Sequence, residues 1–247
     1  MNLSGVYKSF LERWDGLQTC WIISDTHFGD KDLKQGIHNH PSDEELVKNI
    51  NAKCGKTDLL IHLGDVGDVS YVKRLRAKRK ILIMGNHDAG RSNYEKIIHH
   101  ERFEIERPRE DVIDAMKRLY PNCHYTAVEG YGFHAPFEWW DVYADNCLFD
   151  EVYEGPVMIG EKLILSHEPI KNCPWVFNLH GHVHDRRAKN DKYHFNCCLN
   201  AINYEPINFN KWMKEGHLAP VETLHRDIIN HATDRAKKRG YKYTKYE

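Results

Sequence analysis

Three short apolar runs in the first third of the chain each end in a polar motif. Residues 19–24 lead into Asp25-x-His27, residues 59–63 into Gly64-Asp65, and residues 81–84 into Gly85-Asn86-His87-Asp88. Runs this short and this apolar read as buried strands. Between the first two, Ser42-Asp43-Glu44-Glu45 is a capping box, and Leu46, Val47 and Ile50 give the helix it starts one apolar face. A second box is expected at Ser92-Asn93-Tyr94-Glu95. Strand, motif, helix, strand is the signature of βαβ units, and ligands of such sheets gather outside the carboxyl ends of the strands. The pattern restricts the chain to an α/β (α+β) fold with its polar motifs at those ends.

The second half reads as richer in strands. Val157–Ile159 and residues 162–165 flank Gly160-Glu161, a two-residue hairpin loop with glycine first, and His167 follows directly. Further strands are expected at 175–179 and 193–199, which leaves Gly181-His182-x-His184 on the loop between them. Residues 221–239 read as a closing helix with Leu224, Ile228 and Ile229 on one side. No internal repeat or low-complexity linker interrupts the chain, so 1–247 reads as one main domain.

The motifs share one chemistry. Imidazole nitrogen, carboxylate oxygen and amide oxygen suit borderline divalent ions such as Mn, Fe, Ni or Zn, with Mg ranked behind them. Where two ions sit about 3.5–4 Å apart and clamp the two oxygens of an in-line displacement, one carboxylate must bridge them, and Asp65 is the candidate. In Asp25-x-His27 residues two apart on an extended segment share one side and can serve one ion, and His182 and His184 repeat that spacing. Taken singly, each of the 17 histidines is more often a surface or satisfied polar residue, and Gly64-Asp65 alone is an ordinary turn. Their joint order carries the signal.

In that order, Asp25-x-His27, Gly64-Asp65, Gly85-Asn86-His87-Asp88, the lone His167 and Gly181-His182-x-His184 resemble the five blocks of the calcineurin-like metallophosphoesterase superfamily, over roughly residues 18–185. The resemblance implies a two-sheet β-sandwich flanked by helices and a binuclear metal centre. By position, Asp25, His27, Asp65 and His184 would hold one divalent ion, and Asp65, Asn86, His167 and His182 the other. It also implies that His87 stands over the site to assist the leaving group, with Asp88 orienting it. The metals would lower the pKa of a bridging water, and hydroxide would attack phosphorus in line. His180, which has no place in the blocks, is expected to fix a neighbouring loop.

The leading expectation is therefore a metal-dependent hydrolase of a small phosphodiester, such as a cyclic nucleotide or related nucleotide ester. A phosphomonoesterase or protein phosphatase is the nearest alternative, but Gly64-Asp65 lacks a following Asp-Arg-Gly and the third block ends in Asp88 instead of Glu. A DNA nuclease stays open, and so does a non-catalytic, metal-bound interaction module. The residues that would bind the substrate are not legible.

Residues 99–148 are longer than a simple member needs between the third and fourth blocks, and read as an inserted helical and aromatic cap. A helix is expected over 110–119, stopped by Pro121. Tyr131, Phe133, His134, Phe137, Trp139 and Trp140 follow; packing is the first reading of them and stacking on a base the second. Lys73, Arg74, Arg76, Lys78, Arg79 and Lys80 read as the solvated face of a surface helix, and Arg235, Lys237, Lys238 and Arg239 as a basic tail. With a formal net charge of −1, nucleic acid gains no support overall as a partner, although it stays open beside a small phosphoester or nucleotide. The seven cysteines include no C-x-x-C pair, which fits a reducing cytoplasm. Glu12, Arg13 and Asp15 break up the first twenty residues, and no apolar stretch approaches a membrane span, so neither secretion nor anchoring is expected. The oligomeric state is not legible.

Overall fold

The computed structural model describes residues 19–36, 40–132, 138–184 and 190–239. It is a mixed α/β structure of several sheets flanked by helices, the architecture expected from the sequence. In the first half, β1 (Cys20–Ile23), α1 (Lys31–Gly36), α2 (Asp43–Lys53), β2 (Leu59–His62), the short α3 (Val69–Val72) and β3 (Arg79–Ile83) follow in turn. Next come β4 (Ile98–Glu104), α4 (Arg109–Leu119), β5 (His124–Tyr131) and β6 (Glu138–Asp145). The chain then returns through β7 (Glu151–Tyr153), β8 (Val157–Ile159), β9 (Leu163–Leu165), β10 (Phe177–His180), β11 (His194–Asn196) and β12 (Ile207–Asn208), and ends in α5 (Phe209–Lys214) and α6 (Leu224–Lys238).

The first sheet has the order β12-β1-β2-β3-β7, and the second β11-β10-β9-β8. In the first, β1, β2, β3 and β7 run parallel and β12 antiparallel to β1. Strands buried on both faces read as unbroken apolar runs, and the pleat sends alternate residues to opposite sides. Ile22, Leu59, Ile61, Ile81 and Ile83 face the second sheet and meet Leu163, Leu165, Phe177 and Leu179. Ile23 and Leu60 point the other way, onto Leu46, Val47 and Ile50 of α2. That helix starts as expected: Ser42 accepts from the Glu45 amide, and Glu45 returns the bond to the Ser42 amide. The sandwich leaves all its parallel strands ending on one side.

Residues 98–145 build a third sheet, of order β4-β6-β5, with α4 laid across one face. Val112 and Met116 of α4 are buried against Val142 and Ala144 of β6, forming a small core of their own. The segment read from the sequence as a helical and aromatic insertion is mainly antiparallel strand with one helix. Trp140 packs into that core, while Trp139 lies on the opposite face beneath the Arg102 guanidinium, 4.2 Å from its ring centroid. Phe133, His134 and Phe137 lie outside the described residues.

Three local expectations fail for physical reasons. Ser92 to Glu95 forms no capping box; Arg91–Asn93 is a single 3-10 turn, because Ile98–Glu104 is drawn into β4. The basic run is no helix, since Leu75 and Ala77 are buried beneath α2, and Lys80 is a β3 residue that is itself buried. The β8–β9 connection is three residues long, with Ile159 opposite Leu163 and Gly160 at φ 71°. The closing helix α6 forms, yet Leu224, Ile228 and Ile229 are 49%, 56% and 40% exposed. Among the described residues, no helix is long and apolar enough to cross a membrane.

Candidate metal centre

Beyond the last residues of β1 and β2 the two chains keep pairing as irregular loops. Asp25 donates its amide to Gly64 O at 3.0 Å, His27 to Asp65 O at 3.0 Å and Phe28 to Val66 O at 2.9 Å. This sets the first motif alongside the second. The backbone is not extended as the x-spaced pairs suggested. Asp25, His27, Asp65, His182 and His184 all adopt left-handed φ, at 57°, 40°, 57°, 71° and 49°. Such conformations cost on the order of 1–3 kcal/mol each and persist only where the surroundings over-determine them. Here they turn five donor side chains inward.

Two ligand-competent groups result. The donor atoms of Asp25, His27 and His184 lie within 4.8 Å of one another, as do those of Asp65, His167 and His182. Asp65 Oδ2 stands between them, 3.5 Å from His27 Nε2 and 3.3 Å from His167 Nε2. Asn86 Oδ1 joins the second group at 2.9 Å from both His167 Nε2 and His182 Nδ1. The exposed His87 sits edge-on to His27, with ring centroids 5.4 Å apart. Seven of the residues named from the sequence as ligands thus meet at one place, with His87 at its rim.

The residues fit a metal on their own chemistry. Among the described residues, buried His27 Nε2 has no hydrogen-bond partner, although Asp65 and Asp25 oxygens face it at 3.5 and 4.0 Å. A buried imidazole nitrogen left this way among carboxylates is what a divalent cation satisfies. His167 Nδ1 is engaged by Leu63 O at 2.8 Å, which turns Nε2 toward the centre, as in metal sites whose other ring nitrogen is held by a carbonyl. Burial works to raise the Asp65 carboxyl, but hydrogen bonds from His167 and the His87 amide overcome it and hold the group down at about 2. Burial pushes His27 down, toward the neutral form that coordinates. Burial pulls the same way on His167, but its Asp65 partner outweighs it and raises that ring.

Asp88 has a structural part that the motif order did not announce. Its carboxylate accepts from the amides of Asp65 at 2.9 Å, Val66 at 2.9 Å and Gly85 at 2.7 Å. It clamps the second motif to the third, and no hydrogen bond joins it to the His87 side chain among the described residues. His180 accords with its reading: buried, it contacts Gly181 O through Nδ1 at 2.9 Å and belongs to neither group.

Two supporting residues went unrecognised in the sequence. Fully buried His62 accepts from the Gly64 amide at Nδ1 (3.2 Å), and its Nε2 meets Thr26 Oγ1 (2.9 Å), which donates to Val66 O. One imidazole thereby ties the loop holding Asp25 and His27 to the loop holding Asp65. Burial drives its pKa down to about 4, so it serves as a neutral strut. Cys198 donates its thiol to Asp25 Oδ2 at 3.1 Å, and burial raises that thiol far above its ordinary range. Nothing in a lone histidine after Leu-Leu-Ile, or in a Cys-Cys pair, announces either role. Close approach also explains two motif glycines: a Cβ on Gly85 would enter the Asp65 carboxylate, and one on Gly181 would meet Ser24 and Asp25.

Residues 19–133 match the family model of the calcineurin-like phosphoesterase superfamily domain. Over that segment the chain is similar to the domain of that family. The matched segment contains Asp25, His27, Asp65, Asn86, His87 and Asp88, whereas His167, His182 and His184 come from the second sheet and its loops. Among solved structures, a protein of unknown function from Aquifex aeolicus is similar, at 21% identity over 79% of this chain and 98% of that one, with a TM-score of 0.48. No curated protein matches significantly. Family and residue groups together support divalent-metal binding and metal-dependent phosphoester hydrolysis in general.

Proposed function

We propose that the protein is a binuclear metallophosphoesterase that cleaves small phosphodiesters, nucleotide esters first among them. The observation that carries this reading is Asp65, whose one carboxylate lies within 3.5 Å of a histidine from each group. Asp25, His27 and His184 would hold one ion, Asn86, His167 and His182 the other, and Asp65 both. When bound, such ions polarise phosphoryl oxygens and lower the pKa of water. Mn, Fe, Ni and Zn suit this mixed nitrogen and oxygen set best. The carboxylates of Asp25 and Asp65 supply the negative charge that retains the cations. His87, exposed at the rim, holds the proton that the leaving oxygen takes up, an effect usually worth about 10²–10⁴-fold. Asp88 and His62 act behind the ligands by fixing the loops. The seven cysteines are all unpaired, which supports a reducing cytoplasmic setting.

The test is turnover of bis-p-nitrophenyl phosphate beside p-nitrophenyl phosphate, on metal-stripped protein refilled with Mn, Ni, Zn or Mg. The diester should be preferred, and His87→Ala should retain its metal while losing about 10²–10⁴-fold in kcat. Loss of metal from that variant with an unchanged rate per bound metal would remove His87 from its role. Preference for the monoester would make the protein a phosphatase.

A further inference from the structure

Beside the second ligand group the surface opens into a cavity of ≈ 370 Å³, lined in part by Asn86 and His167. Its size falls within the range of about 300–1,000 Å³ typical of small-molecule sites. Met84, Pro156, Pro169 and Ile170 give it apolar walls, and the exposed side chains of Glu154 and Glu168 give it charge of one sign. Among the described residues that line it, none is lysine or arginine. Asn86 and His167 belong to both the cavity and the second ligand group, so a phosphoryl group held at that group would lie at the edge of the cavity.

The lining decides what that substituent can be. A second phosphate placed there would meet the charge of Glu154 and Glu168 with no lysine or arginine among the described lining residues, and like charges placed together across a site are a strong source of rejection. Hydroxyl and amino groups are donors, and ionised carboxylates are acceptors only. The apolar walls favour a flat or aliphatic face. We propose that this cavity binds the uncharged organic group of the phosphodiester, a nucleoside or a group of that size bearing hydroxyl or amino donors, and excludes substrates that carry a further phosphate there. This deepens the phosphodiesterase reading and rests on it: the substrate becomes a small nucleotide ester, and polynucleotides and nucleoside polyphosphates are disfavoured.

Gly155 offers a clean way to close the cavity. It lines the space, a Cβ there meets nothing within 4 Å, and its φ lies outside the left-handed range, so Gly155→Phe adds a bulky ring at the cavity wall without backbone strain. Three p-nitrophenyl diesters would be compared on the metal-loaded protein: the methyl ester, the thymidine 5′-ester, and the thymidine 5′-ester carrying a 3′-phosphate. The thymidine ester should exceed the methyl ester in kcat/KM by about tenfold or more, and the 3′-phosphate should remove that advantage. Gly155→Phe should bring the thymidine ester to within about twofold of the methyl ester. Replacing both Glu154 and Glu168 by lysine should raise the 3′-phosphorylated ester relative to the plain one. If the 3′-phosphorylated ester is cleaved as well as the plain one, or Gly155→Phe leaves the ratio of thymidine to methyl ester unchanged, the cavity assignment is overturned while hydrolysis of the methyl ester upholds the phosphodiesterase reading. Should no ester turn over with any metal, that reading fails, and calorimetric titration with thymidine judges the cavity separately: saturable binding lost in Gly155→Phe upholds it, and no binding to the unaltered protein overturns it.

Discussion

His62 shows how much of the centre depends on a side chain that touches no ligand atom. As a neutral imidazole it accepts one hydrogen bond from the Gly64 amide and engages Thr26 with its other nitrogen, and protonation would destroy the acceptor. Burial holds its folded pKa near 4, below the value of about 6.5 expected of an unfolded chain. Between those values the unfolded chain takes up a proton that the fold refuses, so this contribution to stability is intact above about pH 6.5 and declines as the pH falls toward 4. His62→Gln retains a donor and an acceptor but cannot titrate. Urea unfolding of the metal-free proteins should find the variant about 1–3 kcal/mol less stable near pH 7.5, with a shallower loss toward pH 5 than the parent. Parallel pH slopes for the two proteins would show that His62 is not the titrating strut. Residue types were legible at the ligands because the blocks combine donors in a fixed order. His62 and Cys198 were not, because their roles exist only through partners distant in sequence, such as Asp25, 173 residues from Cys198.

The elements show where pattern reading succeeds. The capping box at Ser42 was legible because an apolar face stands behind it at helical spacing, and Leu46, Val47 and Ile50 do bury that face. Ser92 and Glu95 have the same spacing without that face, and tertiary pairing in β4 claims the residues that would have extended the helix. The three strands of the opening motifs were legible because burial on both faces leaves no polar interruption. What pattern reading could not supply was the left-handed loop geometry at their ends, or the use of Asp88 to hold two loops together. Asp88→Asn tests that use. Three amides converge on its carboxylate, and a side-chain amide offers one oxygen in place of two while its own N–H groups oppose the donors. The variant should lose about 1–3 kcal/mol of stability and should bind metal more weakly, since Asp65 shifts with its loop. Unaltered metal affinity alongside reduced turnover would return Asp88 to the role of orienting His87.

At the scale of the molecule, the centre is assembled from both sheets. The first contributes Asp25, His27, Asp65 and Asn86 from loops after β1, β2 and β3, and the second contributes His167 after β9 and His182 and His184 after β10. The His182 amide donates to both oxygens of Asp25 across 157 positions of sequence, so the sandwich must close before either group is complete. The order of the blocks made this legible in outline, while the third sheet and its separate core lay beyond periodicity, because its alternating strands carry few apolar residues. In the proposed binuclear centre one carboxylate, that of Asp65, joins the two ligand groups into a pair of metal sites. Metal content per chain, measured on stripped and refilled protein together with diester turnover, tests it most directly when Asp65→Asn is carried alongside. Two ions per chain are expected in the parent, and loss of both ions and of turnover in the variant, because the bridging charge serves both groups. A variant that keeps one ion at full affinity, or a parent that turns over with a single ion, would contradict it.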